Sequence, residues 1–246
     1  MKNYRLIISY DGTDYFGWQR QPSCRTIQGT IEAALERLAG EPVALFGAGR
    51  TDAGVHALGQ TASFKAAFKM GEAELFKALN AILPPDIRIL TLAPAPASFH
   101  ARRSARSKTY QYRIITSPLI SPFDLRFALH WPHPLNLARM RKAAALFVRQ
   151  ADFQGFSSNR DRYPVRRVTR SEIRRRGDEI VYVVEAEGFL RYMVRTIVGT
   201  LLEIGRGKVP IERVEEIFAG RERSLASPTA PAKGLCLIKV DYGSEG

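Results

Sequence analysis

The chain has few of the residues that build metal centres, disulfide frameworks or membrane spans. Its 246 residues include two cysteines, Cys24 and Cys236, which stand far apart and form no Cys-x-x-Cys pair. That excludes a disulfide scaffold and reads as free thiols in a reducing compartment. The four histidines, His56, His100, His130 and His133, fall in no ligand spacing, so no zinc site is expected. His130 and His133 flank Trp131-Pro132 and read as loop or strand-end residues. No apolar run approaches the ~20 residues of a membrane span, and Met1-Lys-Asn-Tyr-Arg-Leu6 enters a strand pattern directly instead of a signal peptide. A cytoplasmic protein with no membrane partner is expected. Nucleotide fingerprints are also missing. Gly47-Ala-Gly-Arg-Thr-Asp52 lacks a third glycine and a following helix, and Gly205-Arg-Gly-Lys208 lacks the upstream glycine and the Ser/Thr of a phosphate loop. Neither Gly-x-Ser-x-Gly nor His-Glu-x-x-His occurs. No nucleotide cofactor and no metal are expected. Acidic residues are scarce as well: 24 Asp and Glu against 37 Lys and Arg leave a formal charge of +13. That excess points to a polyanionic partner, nucleic acid first and an anionic membrane surface second.

What the chain does have is concentrated in Phe46-Gly-Ala-Gly-Arg-Thr-Asp-Ala-Gly-Val-His-Ala-Leu-Gly-Gln60. Strand-like runs lead in (Val43 to Phe46) and out (Gln60 to Phe64), and four glycines among polar residues allow tight turns and close approach. Arg50 stands two residues from Asp52. A carboxylate beside a fixed cation is ionised at neutral pH and available for chemistry. The alternative is a structural ion pair on a glycine-rich hairpin loop.

Along the chain, Tyr4 to Tyr10 reads as a buried strand ending at Asp11-Gly12. Tyr15, Phe16, Trp18, Gln19 and Arg20 follow on a loop that suits either base stacking or plugging a core. An amphipathic helix from Thr26 stops at Gly40, and a second spans Glu72 to Leu83, ended by Pro84-Pro85. With the strands around the glycine-rich loop and Asp86 to Leu92, the order is β-α-β-β-α-β, the split βαβ, ferredoxin-like arrangement. A Pro/Ala-rich linker, Ala93 to Ala97, separates residues 1–97 from 98–246. Basic residues interleaved with aromatics follow between Arg102 and Arg113, with Tyr110 and Tyr112 on one strand face. That pattern suits RNA contact or a charge-protected edge strand. The second half repeats the order with insertions: a strand from Lys108, a helix capped by Asn136, a hairpin turning at Arg176-Gly-Asp178, a long helix from Phe189 to Ile204, a short helix from Pro210, and a strand from Leu235 to Tyr242. The fold class is thus α+β, two ferredoxin-like domains with antiparallel sheets side by side and an RNA-binding cleft between them. On the long helix Arg191 and Arg195, at i and i+4, either reach solvent or meet an anion such as Asp52 or RNA.

Taken together, Gly49-Arg-Thr-Asp-Ala-Gly-Val-His56 with Gly59-Gln60, Tyr15-Phe-Gly-Trp-Gln-Arg20, Phe99-His-Ala-Arg102, Met193-Val-Arg-Thr-Ile-Val-Gly199 and Gly234-Leu-Cys-Leu237 resemble the tRNA pseudouridine synthase A family. The match runs in order from Tyr4 to Tyr242. The resemblance implies an isomerase that converts uridine to pseudouridine at positions 38, 39 and 40 of the tRNA anticodon stem-loop, without cofactor and as a homodimer. It makes Asp52 the essential carboxylate, whether by attack on uracil C6, by attack on ribose C1′ or by removal of a ribose proton. It assigns Arg50 to opening the stem and holding the extruded nucleotide, Arg195 to pairing with Asp52, Tyr110 to stacking on uracil, and Leu235 to packing under the base. RNA is expected along Arg102, Arg103, Arg106, Lys108 and the Arg160 to Arg176 region. The rival from another class is a catalytically silent tRNA-binding protein; a synthase with another RNA target is a third reading.

Overall fold

The computed structural model describes residues 1–243. Among them are ten strands, β1 to β10, and five α-helices, α1 to α5, numbered along the chain, with the strands pairing mostly antiparallel. The chain forms two compact units, one holding residues 1–106 together with those from Cys236 onward, the other Ser107–Leu235.

In the first unit β1 (Lys2–Tyr10) alternates from Tyr4 onward, with Tyr4, Leu6, Ile8 and Tyr10 buried. A period of two puts these side chains on one sheet face, and each large apolar residue fully buried there stabilises the fold by about 1.5–3 kcal/mol. Their partners on β3 (His56–Ala66) are Phe64, Ala62, Gln60 and Ala57, and the Tyr4 and Phe64 rings stack at 5.1 Å. β4 (Ile87–Pro94) lies on the other side of β1, and β2 (Leu45–Gly47) pairs with β3, so the order β4-β1-β3-β2 is antiparallel throughout. β10 (Leu235–Asp241) adds a parallel pairing, Cys236 opposite His56 and Leu237 opposite Ala57. β3 begins at His56 instead of Gln60, because its first residues are taken up by Tyr10 on one side and by β10 on the other. α1 (Ile27–Ala39) starts where Thr26 accepts from Gly29 N and stops at left-handed Gly40, φ 77°. α2 (Glu72–Ile82) ends ahead of Pro84. Residues 98–106, which the sequence pattern attaches to the second half, pack with the first unit: Ala101 N donates to Ser63 Oγ at 3.0 Å, and Tyr242 OH to Ala101 O at 2.8 Å.

In the second unit β5 (Ser107–Ile115), β9 (Glu179–Ala186), β8 (Val165–Arg176) and β7 (Gln150–Asp152) pair antiparallel in that order, while β6 (Leu129–His130) runs parallel to β5. Tyr110, Tyr112 and Ile114 of β5 and Ile180, Tyr182 and Val184 of β9 are buried, as are Met140 and Phe147 from α3 (Leu137–Ala145) and its end, and Met193, Ile197 and Leu201 of α4 (Met193–Gly205). α5 (Arg213–Gly220) closes an aromatic cluster of Phe147, Phe153, Phe156 and Phe218. The sequence pattern starts the long helix at Phe189; it starts at Met193. Tyr192 adopts a left-handed conformation, φ 61°, and Phe189 is held edge-to-face against Tyr110 at 5.1 Å, so the segment before it turns instead of coiling. Arg191 therefore lies outside the helix, and the i, i+4 relation to Arg195 does not exist. No helix of the described residues is long and apolar enough to cross a membrane.

Burial pushes the phenols of Tyr10, Tyr112 and Tyr182 well above the ordinary tyrosine value. An unfolded chain releases these protons near pH ~10, whereas the folded chain keeps them. The stability they contribute is complete below that pH and is lost as pH rises through the folded-state values. Ultraviolet titration at 295 nm should therefore show part of the tyrosine absorbance appearing only together with loss of far-ultraviolet circular dichroism. Titration of all nine tyrosines near pH ~10 with the fold intact would contradict this burial.

Candidate active site

Asp52 sits between β2 and β3 on a loop that backbone bonds hold from several sides. Ala48 N donates to Thr61 O at 2.7 Å, and Gln60 Nε2 to Gly49 O at 2.9 Å. Trp18 N donates to Thr51 O at 3.0 Å, Gly54 N to Tyr15 O at 3.3 Å and Val55 N to Asp52 O at 3.1 Å. The side chain of Thr51, itself buried, bonds the Tyr10 hydroxyl at 2.9 Å. A hydrogen bond of this kind contributes about 0.5–1.5 kcal/mol, and the set fixes the residues on both sides of Asp52.

The segment that grips this loop is the aromatic stretch after β1. Tyr15 and Trp18 are buried in the unit, while Phe16 between them is 61% exposed. Of the two uses open to this loop, core plugging is what Tyr15 and Trp18 do. Tyr15 OH donates to Asp86 Oδ1 at 2.6 Å, and Arg25 Nη2 donates to both the Tyr15 hydroxyl and Asp86 Oδ2. The Arg25 guanidinium also lies 4.3 Å from the Tyr15 ring centre. Burial and then the Asp86 carboxylate push the Tyr15 phenol up, so it stays a neutral donor. Gly17, at φ 83°, permits the approach: a Cβ there would come within 2.6 Å of Thr51 O and 3.0 Å of Asp52 C. Gly12 lies equally tight, its missing Cβ 2.0 Å from Val55 O. His56 joins the two segments from below, its Nδ1 accepting from Gly12 N at 3.1 Å and lying 3.1 Å from Asp11 Oδ1.

Asp52 is half-buried and Arg50 exposed. The structural ion pair of Arg50 with Asp52 does not form; among the described residues Arg50 has no ion-pair partner. Arg102, Arg103 and Arg106 are exposed, whereas Lys108 is only 9% exposed at the start of β5. The second unit gathers the remaining candidates. Tyr110 is buried against Phe189, and Tyr112 OH donates to Pro231 O at 2.8 Å. Arg195 Nε donates to Ala230 O at 2.8 Å, Ala230 N returns a bond to Arg195 O at 3.0 Å, and the guanidinium lies 4.8 Å from the Tyr192 ring centre. Leu235 is buried at the head of β10. The strap around Ala230 crosses α4 at Gly199, where a Cβ would sit 1.9 Å from Pro228 O. Among the described residues no group of His, Cys, Asp and Glu could hold a metal ion.

Sequence reasoning missed the anchors Tyr10, Thr51, His56 and Gln60. All four are buried, and polar residues recurring among the buried positions beside a glycine-rich loop are the signal that marks them.

The first unit thus offers one carboxylate on a glycine-clamped loop in a strongly basic chain, and the second unit, taken by itself, offers Arg195 and the buried tyrosines of β5. A family model described as tRNA pseudouridine synthase matches residues 6–102 and 143–243. The chain belongs to the tRNA pseudouridine synthase family, and pseudouridine synthases are isomerases. The tRNA pseudouridine synthase A of Thermodesulfovibrio yellowstonii is 43% identical over 254 residues, covering 98% of this chain and 100% of that protein. The tRNA pseudouridine synthase A of Syntrophotalea carbinolica is 45% identical over 248 residues, covering 100% and 98%. Among solved structures, the archaeal box H/ACA sRNP Nop10-Cbf5 complex overlaps with a TM-score of 0.35 at 10% identity, over 81% of this chain and 44% of that one.

Gly17→Ala should push the Thr51–Asp52 peptide aside. Overpacking of this kind costs about 1–3 kcal/mol, and a displacement near 1 Å at a reacting group costs about 100-fold in rate. The expected result is a large fall in kcat with a few degrees of lost melting temperature. Gly40→Ala, at φ 77° with open space around it, should lower the melting temperature and leave kcat alone. Equal kcat for the two variants would show that the clamp does not set the position of Asp52.

Proposed function

We propose that the protein isomerises uridine to pseudouridine at positions 38, 39 and 40 of the tRNA anticodon stem-loop, with Asp52 as the catalytic carboxylate. The observation that carries this reading is the fixed, half-exposed placement of Asp52 on a loop whose backbone is bonded on both sides of it. Catalysis by a carboxylate needs that rigidity, because a nucleophile or base works only when held in reach of one atom. Family membership and relatives named tRNA pseudouridine synthase A, matched over nearly their whole length, support the substrate.

In the reaction the N1–C1′ bond of uridine breaks, the uracil turns while held, and C5 bonds to C1′. The proton leaves C5 and N1 gains one, so the change is an isomerisation with no redox step and no co-substrate. Asp52 acts on the nucleotide by one of three routes: at uracil C6, at ribose C1′ or on a ribose proton. Arg195 is assigned as the cation partner of Asp52. Its bond to Ala230 and its ring contact with Tyr192 support a fixed charge in place of a wandering one. Tyr110 stacks on uracil, Leu235 packs under it, and Arg50, exposed and without an ion-pair partner among the described residues, helps extrude and hold the nucleotide. Taking a base out of a stem costs a few kcal/mol. Phosphate contacts along Arg102, Arg103, Arg106 and the Arg160 to Arg176 stretch offset that cost and make binding salt-dependent. We further assign a ferredoxin-like plan to each of the two units and a homodimeric state on the same reading.

The test is pseudouridine mapping by carbodiimide labelling and primer extension on unmodified tRNA transcript, in EDTA. Wild type should give signal at 38 to 40. Asp52→Ala should give none while binding tRNA within a few-fold of wild type; modification by that variant would remove Asp52 from its role. Arg195→Leu should lose activity by far more than its melting temperature falls, and full activity would show that its charge serves only the strap.

A further inference from the structure

Phe46 is the residue on β2 that neither the core nor the reaction uses. Strand alternation buries Leu45 and turns Phe46 to the opposite sheet face, where it is 50% exposed. There it meets His100, ring centres 5.2 Å apart at 41°. The contact is built into the first unit. Phe46 sits opposite Ser63 on β3, and Ser63 Oγ accepts from Ala101 N, which ties the turn holding His100 to the strand behind Phe46. The turn is closed by Ser104 N donating to His100 O at 2.9 Å and by His100 N donating to Ser104 Oγ at 3.1 Å.

His100 Nδ1 accepts from Arg102 N at 3.1 Å and from Arg103 N at 3.4 Å. An Nδ1 that accepts leaves the ring proton on Nε2 as a donor. Burial, then the charge of Arg103, and less strongly that of Arg102, hold the imidazole below its ordinary pKa, so the two guanidinium groups stand close to a neutral ring. Among the described residues neither arginine side chain has an acidic partner. A half-exposed aromatic face beside two uncompensated cations matches the two faces of a nucleotide, a flat base and an adjoining phosphate. An apolar peptide laid on the same spot would desolvate both charges at a cost and gain only the ring contact.

We propose that Phe46, His100, Arg102 and Arg103 form a nucleotide subsite for the RNA substrate. A base outside the reacting position stacks on the open face of Phe46, and Arg102 and Arg103 take its phosphate. His100 braces the ring and offers Nε2–H. The subsite rests on the RNA-modifying reading of Asp52, six residues further along the same loop, and adds a contact that does no chemistry: it sets where the RNA lies relative to that loop.

The experiment compares wild type, Phe46→Leu, Phe46→Trp and the double variant Arg102→Ala/Arg103→Ala in equilibrium binding to unmodified tRNA transcript over a salt series. Pseudouridine formation and melting temperature are measured alongside. Phe46→Leu keeps an apolar side chain and removes the π face; its affinity should fall by about 5- to 150-fold with melting unchanged within a few degrees. Phe46→Trp should bind within a few-fold of wild type, and its added indole emission should be quenched by RNA. The double arginine variant should flatten the slope of log affinity against log salt by about one to two. Wild-type affinity in Phe46→Leu, with the added emission of Phe46→Trp indifferent to RNA in an otherwise active enzyme, overturns the subsite alone. A wild type that neither binds nor modifies tRNA overturns the Asp52 reading, and the subsite falls with it.

Discussion

The constraint on which the rest depends is the contact between the Gly12–Trp18 segment and the loop from Thr51 to Val55. Two glycines stand where any side chain would collide with the backbone of the loop, and two backbone hydrogen bonds, Trp18 N to Thr51 O and Gly54 N to Tyr15 O, link the segments across that contact. Interiors at this density do not deform smoothly, so a displaced peptide on one side moves the peptide on the other. Tyr15, Trp18 and the Arg25–Asp86 pair hold the outer segment against the core, and Tyr10, Gln60 and His56 hold the loop from the inner side. Asp52 is thereby fixed through its backbone at a half-buried position.

The second unit fixes its arginine and tyrosine side chains differently. There the backbone of a strap around Ala230 exchanges two hydrogen bonds with Arg195, and close contact at Gly199 presses the strap onto α4. Tyr192, by taking a left-handed conformation, ends the preceding turn and presents its ring to the Arg195 guanidinium. The tyrosines on β5 are buried and neutral or packed against phenylalanine, which suits them to shaping an apolar floor. The positive excess is carried largely by exposed arginines, whose charge draws in a polyanion over distances near the Debye length of ~8–10 Å.

Much of this was legible from the residues. The alternation in Tyr4 to Tyr10, the capping Thr26 and Asn136, the stop at Gly40 and the turn at Gly177 each place an element by local chemistry, and each element is found there. Asp52 stood out because it lies in a segment with almost no core-forming capacity. What was not legible depended on contacts distant in sequence. Nothing near Tyr192 announces a left-handed residue in a run with helical periodicity; its conformation follows from where Phe189 meets Tyr110 and where Leu190 is buried. The pairing of β10 with β3 and the packing of residues 98–106 on Ser63 likewise join segments more than thirty residues apart. Aromatic residues on the Tyr15–Trp18 loop were ambiguous between stacking on a base and filling a core, and only burial distinguishes Tyr15 and Trp18 from Phe16.

The central claim, that one charged carboxylate held by this clamp performs the isomerisation, is tested most directly by replacing Asp52 with its uncharged isostere. tRNA transcript carrying tritium at uracil C5 would be mixed with excess wild-type or Asp52→Asn enzyme, and tritium release followed in a single turnover beside affinity and melting temperature. The account predicts rapid release by wild type and none above background from Asp52→Asn, with affinity and melting temperature unchanged. Release by Asp52→Asn at a rate near that of wild type would contradict it.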